Sequence, residues 1–319
     1  NGSFTCVSNA IYSFLTTEFG WLYLLAMLAF VIFIIGIACS KYGKLRLGPD
    51  DSKPEYKTAS WFAMLFGAGM GVGLVFWGIS EPVSHYMNPP GMEGGTAEAA
   101  DFAIKSSFMH WGIHPWANYA IIGLALAYFQ FRKKKPALVS SIFEPLIGEK
   151  KTNGALGKTI DILAVFATVA GVTTSLGLGV LQINSGLGYL FGIPSTLLVQ
   201  IAIIAVITVV YIWSAVSGIE KGIKLISDAN LYIAFGLMIL AVLVGPKVEI
   251  MNNFANGLGQ YLGNLIPDSL AIKTYGDNSW IMSWRIFYWA WWIAWAPFVG
   301  VFIARISKGR TIREFIVGV

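Results

Sequence analysis

Gly67, Gly69, Gly71 and Gly73 alternate along an apolar stretch, Gly67-Ala68-Gly69-Met70-Gly71-Val72-Gly73. Each glycine in a helix interior costs roughly 1 kcal/mol, so four of them weaken this stretch by several. The run is not G-x-G-x-x-G and follows no strand pattern, which makes a nucleotide-binding turn a poor fit. Close helix packing is one account, because Gly67/Gly71 and Gly69/Gly73 are each G-x-x-x-G pairs. A broken helix is the other, since packing needs only one such pair. A break frees carbonyls to coordinate a cation, and frees amides at a half-helix start to face an anionic group.

Two aromatic clusters accompany the glycines. One is Trp111-Gly112-Ile113-His114-Pro115-Trp116 with Tyr119; the other runs from Tyr288 to Phe298 and holds Trp289, Trp291, Trp292 and Trp295. Tyr288, Trp292 and Trp295 fall at i, i+4 and i+7, one face of a helix. Trp111 and Trp289 also suit an interfacial belt, and aromatic helix packing would account for the rest. Pro115 and Pro297 leave carbonyls at i−4 without donors, a distortion found beside cavities. Rings facing a dry cavity attract a cation by about 2 kcal/mol or more, and quaternary ammonium suits them because it has no N–H to satisfy. Neither 106–129 nor 286–304 contains Asp or Glu, whereas a primary-amine site would place an acid there.

Other reactive residues carry less. His110 and His114 have the i, i+4 spacing of a metal pair, but no third ligand stands near them in sequence. His85 closes the glycine-bearing segment, and Glu81 and Asp161 sit at helix ends, where capping or solvation suffices and proton coupling is the lesser reading. No nucleophile–base–orienter set is legible, so no enzyme is expected. Cys6 and Cys39 flank one apolar run and should not pair.

The elements that carry these residues are membrane spans. Apolar residues make up 56% of the 319-residue chain and charged residues only 12%, against about 25% charged in soluble domains. Seven apolar stretches approach the roughly 20 helical residues that cross a bilayer: 21–39, 59–80, 106–129, 159–190, 195–216, 225–246 and 280–304. The fourth is too long for a straight span, so tilt or a break near Gly177 and Gly179 is expected. None alternates as barrel strands do. Of the 22 Lys and Arg, all but Lys105, Lys247, Lys273 and Arg285 fall in the loops on one side. The positive-inside rule then puts the Asn1 side outside and the Val319 side inside, and it explains the net charge of +5 without nucleic acid. Residues 248–268 repeat apolar side chains every three or four positions (Val248, Met251, Phe254, Leu258, Tyr261, Leu262, Leu265) between Asn and Gln. They form an amphipathic surface helix for lipid or a second subunit. No signal peptide precedes the first run, and both ends read as cuts, as in an internal piece of a longer protein.

These motifs resemble the betaine/choline/carnitine transporter family. The resemblance rests on the glycine run, on Trp-Gly-Ile-His-Pro-Trp-Ala-Asn-Tyr, and on Ser-Leu-Gly-Leu-Gly-Val-Leu-Gln at 175–182. It also rests on Trp-Ala-Trp-Trp-Ile-Ala-Trp-Ala-Pro-Phe followed by Ala304-Arg305-Ile306-Ser307-Lys308-Gly309-Arg310-Thr311. The glycine-rich first motif is most similar to that of sodium-coupled glycine betaine symporters. The resemblance implies an all-α integral membrane protein, part of a LeuT-type inverted-repeat transporter and usually trimeric, here through 248–268. Residues 21–39 would be a peripheral helix, 58–246 the first five-helix repeat, and 279–305 the first helix of the second. It further implies Trp111, Trp116, Tyr119 and Trp292 as the box for a trimethylammonium group, with Trp295 and Trp291 on the path and Gly69, Gly71 and Gly73 near the solute carboxylate. Sodium would meet oxygens at Gly67 and Met70, with a second site at Thr168 and Phe298. At that second site the family's other Thr is Val172, unless Thr173 or Thr174 substitutes.

The expected function is sodium-coupled import of a quaternary-ammonium solute, glycine betaine first, across the cell membrane. A proton-coupled or exchange transporter for choline or carnitine is the alternative. A ligand-binding sensor or channel is the alternative of another class, against which a broken helix and occluding rings speak.

Overall fold

The computed structural model describes residues 2–69, 71–218 and 222–319; Met70, one of the expected sodium-site positions, lies outside them. Among the described residues the chain is helical, and Arg46 and Thr311 form an isolated antiparallel bridge. Helix α1 (Gly2–Glu18), to which hydropathy did not point, leads into α2 (Gly20–Cys39). The glycine segment is two helices, α3 (Thr58–Gly69) and α4 (Val72–Met87). Then come α5 (Ala97–Trp111) and α6 (Ile113–Ala127). The short turns α7 (Val139–Ile142), α8 (Glu144–Ile147) and α9 (Glu149–Thr152) fill a loop. Long helices follow: α10 (Ala155–Phe191), α11 (Leu197–Gly218) and α12 (Lys224–Val244). Then α13 (Lys247–Gly263) and α14 (Leu265–Ser269) precede a π-helical turn at Ile281–Ile286, α15 (Phe287–Ile306) and α16 (Ile312–Gly318).

Five of these helices are long and apolar enough to cross a membrane, six if α3 and α4 count as one span bent by 60°. All seven expected stretches fall on helices, and the one outside this count is the third. The third stretch, read as 106–129, begins at Ala97 and divides at Gly112 into helices of 15 residues each. Its start was hidden because Glu98, Asp101 and Lys105 depress hydropathy; Thr96 caps it, accepting the Ala99 N–H at 3.2 Å. Of the tilt or break expected in the long fourth helix, the break is not seen: α10 runs 37 residues through Gly177 and Gly179. Two glycines cost it about 2 kcal/mol, and no proline removes a backbone donor there. It ends at Gly192, whose φ of 68° is left-handed.

The core lies where α15 crosses α6. A Cβ on Gly300 would stand 2.7 Å from Ile122 Cγ2 and 3.1 Å from the Gly123 nitrogen, so only glycines permit this approach. Trp289, Tyr288, Ile303, Met109 and Leu126 are fully buried around the crossing. Trp289 stacks on His114 at 5.2 Å and is therefore a core residue, not an interfacial belt ring. Helices α13 and α14 cover 247–269, close to the expected 248–268, and α13 packs on α5 through Gly257 and buried Tyr261. Val248, Met251, Phe254, Leu258 and Leu262 of its apolar face point outward and are exposed. Asp161 caps α7, accepting from the Ser140 N–H and hydroxyl at 2.9 and 2.7 Å. Both cysteines are free.

Candidate functional site

Two helix breaks meet at one cavity. At the first, Gly71 is extended (φ −83°, ψ −179°) and α4 restarts at Val72. At the second, α5 stops at Trp111 and α6 restarts at Ile113, whose N–H is accepted by the Tyr261 hydroxyl at 2.9 Å. Pro115 therefore sits in the first turn of a helix, where no intrahelical donor is required, and does not kink a continuous one. Pro297 does lie inside α15. Between the breaks is a cavity of about 130 Å³, of the size class that holds a benzene-sized guest in other proteins.

The six aromatic residues expected at the solute site line this cavity, Trp111, Trp116, Tyr119, Trp291, Trp292 and Trp295, whereas Tyr288, expected on the same face as Trp292 and Trp295, is not among its lining residues. Trp292, only 6% exposed, is central. It stacks on Trp291 at 4.8 Å and meets Trp111 edge-on at 5.0 Å and Tyr119 at 6.3 Å; Tyr119 in turn meets Trp116 at 5.9 Å. Its indole N–H donates to the His110 carbonyl at 3.0 Å, and its own carbonyl accepts from Asn118 Nδ2 at 2.7 Å. The indole is thus tied to α5 and the backbone of Trp292 to α6. Gly71 and Gly73 form part of the opposite wall. A Cβ on Gly71 would meet nothing within 4 Å, while one on Gly73 would touch the Trp111 and Trp291 rings at 3.6 Å. Gly69 is the last residue of α3. No Asp or Glu is among the described lining residues.

Gly67 is placed differently. A Cβ there would lie 2.9 Å from Ser227 Oγ, so α3 packs closely on α12 at this point. Of the expected packing pair Gly67/Gly71, only Gly67 packs on a neighbouring helix, while the chain is extended at Gly71. Thr168 and Phe298 line a second cavity with Asp161 and Arg305, about 410 Å³ in volume. The Thr168 hydroxyl donates to the Ala164 carbonyl at 2.8 Å. Thr173 and Thr174 are both exposed and are not among the residues lining that cavity, so neither supplies there the hydroxyl missing at Val172.

Glu81, weighed from the sequence for capping, solvation or proton coupling, has a setting the sequence did not show. Expected at a helix end, it stands inside α4 and is completely buried. Its Oε2 accepts from the Trp111 indole N–H at 2.7 Å and from the Tyr288 hydroxyl at 2.6 Å. Its Oε1 lies 2.6 Å from His110 Nδ1 and 3.3 Å from His85 Nε2. The expectation that His110 had no further ligand-type neighbour is thereby corrected: Glu81, His85 and His110 hold ligand atoms within 4.8 Å of one another. The 2.6 Å separation is that of a hydrogen bond. Two ligands sharing one zinc, each about 2.0–2.1 Å from it, would sit roughly 3.3 Å apart. His114 leaves this group and meets Ser269 Oγ at 2.8 Å. The usable signal was a carboxylate within an apolar helix, with His85 one turn on.

A family profile described as betaine/carnitine/choline family transporter matches residues 1–319. The chain is 53% identical to the Probable glycine betaine transporter of Desulfitobacterium hafniense (strain Y51), over 98% of the chain and 62% of that relative. It is 53% identical to the Glycine betaine transporter OpuD of Bacillus subtilis (strain 168), with the same 98% and 62% coverage. To the Ectoine/hydroxyectoine transporter of Virgibacillus pantothenticus it is 46% identical, over 99% of the chain and 63% of the relative. The chain thus spans about 62% of the length of the first two relatives.

Proposed function

This chain belongs to the betaine/carnitine/choline transporter family, a family of multi-pass membrane transporters and not of enzymes, and from that premise we propose that the protein imports glycine betaine together with sodium. The observation that carries the reading is the cavity between the breaks, walled by six aromatic rings with no acid among its described lining residues. A trimethylammonium head fits such a wall because it offers charge without N–H donors. The solute carboxylate would face the start of α4, where Gly71 and Gly73 let the backbone approach and the half-helix dipole favours an anion. Sodium would take carbonyl oxygens at Gly67 and Met70. Residues 58–246 would form the first repeat of a LeuT-type core and 279–305 open the second, with the two halves rocking about the site. The basic loops would lie in the cytoplasm. The outward apolar face of α13 would join three copies, and crosslinking of that face in membranes tests the trimer.

Radiolabelled glycine betaine uptake by the full-length protein in proteoliposomes tests the function. Uptake driven by an inward sodium gradient and lost in potassium is the expected result; equal uptake in both ends the sodium coupling. The ectoine-transporting relative favours a second reading, a different zwitterionic solute in the same cavity. Competition by unlabelled ectoine, choline and carnitine separates the two, betaine being the strongest competitor if the first reading holds.

A further inference from the structure

Among the described residues the cavity's lining shows no counter-charge to a bound cation, yet a carboxylate stands one indole behind it. Glu81 is fully buried on α4, the half-helix that begins at the cavity. Its Oε2 is bonded to two donors from different elements, Trp111 of α5 at 2.7 Å and Tyr288 of α15 at 2.6 Å, while Oε1 faces His110 and His85. The indole N–H and the phenol O–H donate to Oε2, and the two imidazole nitrogens stand within hydrogen-bond reach of Oε1. Trp111 spans the gap: its N–H end is on Glu81, and the far end of its ring, Cη2, lies 3.6 Å from where a Cβ on Gly73 would stand, at the cavity wall. Tyr288 packs 5.6 Å from Trp292 and 5.8 Å from Trp291, and it stacks on His110 at 4.8 Å. His110 in turn supplies the carbonyl that holds the Trp292 indole. One carboxylate therefore fixes, directly or through one neighbour, the ring planes on both sides of the cavity.

Loss of a buried acid alone leaves its partners unpaired and costs stability whatever its role, so stability does not distinguish a structural acid from one that acts on the solute. Glu81 sits behind a π-face that a cation must approach, and hydrogen bonding to an anion polarises that face further. We propose that Glu81 is a positioning and specificity residue of the cation pocket, holding Trp111 and Tyr288 in place and supplying the negative charge that makes the pocket prefer an ammonium head to its neutral isostere. The proposal rests on the aromatic cavity being the solute site.

The test uses the full-length protein in proteoliposomes with glycine betaine and with 3,3-dimethylbutyrate, which carries the same carboxylate but a carbon in place of the ammonium nitrogen. In Glu81→Gln, KM for betaine rises about tenfold, as loss of one charge at close range in a low-dielectric site implies. The inhibition constant of 3,3-dimethylbutyrate stays within about twofold of wild type and kcat changes little. Glu81→Asp, which keeps the charge, recovers most of the betaine KM. An unchanged betaine KM in Glu81→Gln overturns the proposal, and so does equal weakening of both compounds, which would mark a packing role alone. Should Glu81→Gln not reach the membrane, Tyr288→Phe removes only one hydroxyl from the carboxylate. A smaller rise confined to betaine is expected there, and no rise overturns the proposal. Wild-type protein that takes up no quaternary ammonium solute instead sinks the reading of the cavity, a failure distinct from these.

Discussion

Replacing Trp292 by Leu removes the ring at the centre of the cavity. Trp292 stacks on Trp291 at 4.8 Å and meets Trp111 at 5.0 Å, so its loss opens the wall and frees its neighbours to turn. A desolvated cation–π contact is worth about 2 kcal/mol, which corresponds to roughly 30-fold in affinity. The protein also loses the indole bond to the His110 carbonyl, made at 3.0 Å, worth about 1 kcal/mol of stability, and gains a partly collapsed hole costing about 2 kcal/mol more. Two readouts separate these effects. Concentration-dependent betaine uptake should give a KM about 30-fold higher, while the thermal midpoint of the detergent-purified protein falls by several degrees. Trp292→Phe keeps a π-face and loses the N–H, so its KM should rise only a few-fold. A folded Trp292→Leu protein with wild-type KM refutes the box. A Phe variant as impaired as the Leu variant shifts the role from the ring to the hydrogen bond.

Three further outcomes are expected. A side chain at Gly171 would run into the Trp295 indole, so Gly171→Val should cost about 1–3 kcal/mol and raise the betaine KM; a melting temperature at the wild-type value refutes the packing. Tyr261→Phe leaves the Ile113 N–H at the second break without its acceptor, lowering stability by about 1–2 kcal/mol in denaturation assays. Asp277 accepts from the Ser279 N–H and hydroxyl, which hold its carboxyl below the usual range. Its contribution is present above the unfolded pKa and fades as pH falls through the depressed folded value. Wild type and Asp277→Asn should therefore differ in melting temperature at neutral pH and converge on acidification.

The spans were legible because lipid demands a long apolar helix and little else satisfies that demand. The first break was legible because four alternating glycines leave a helix nothing to gain by continuing. The second was not. Gly112 stands alone, and Pro115 reads as a kink until Tyr261, 148 residues further on, is found capping Ile113. Hydropathy likewise cut the start of α5, since Glu98, Asp101 and Lys105 lower the average while the Thr96 cap and contact with α13 decide the helix. The aromatic clusters were visible as clusters, and the cavity they enclose follows from two glycine breaks that bring separate helices to one place.

Glu81 was hidden for a physical reason. Of its partners only His85 is local, one turn on; the others lie 29, 30 and 207 residues away, where no local pattern announces them. In an apolar helix a lone acid looks like a helix-end residue until its partners are known, and only a complete donor set makes its burial tolerable. That same requirement links the broken helix to the ring cluster. A carboxylate that must keep all its donors couples any tilt of α4 to Trp111 and Tyr288. A solute drawing on those rings therefore bears on the half-helix that faces its other end, and a transporter needs such a connection if occupancy is to favour one gate over the other.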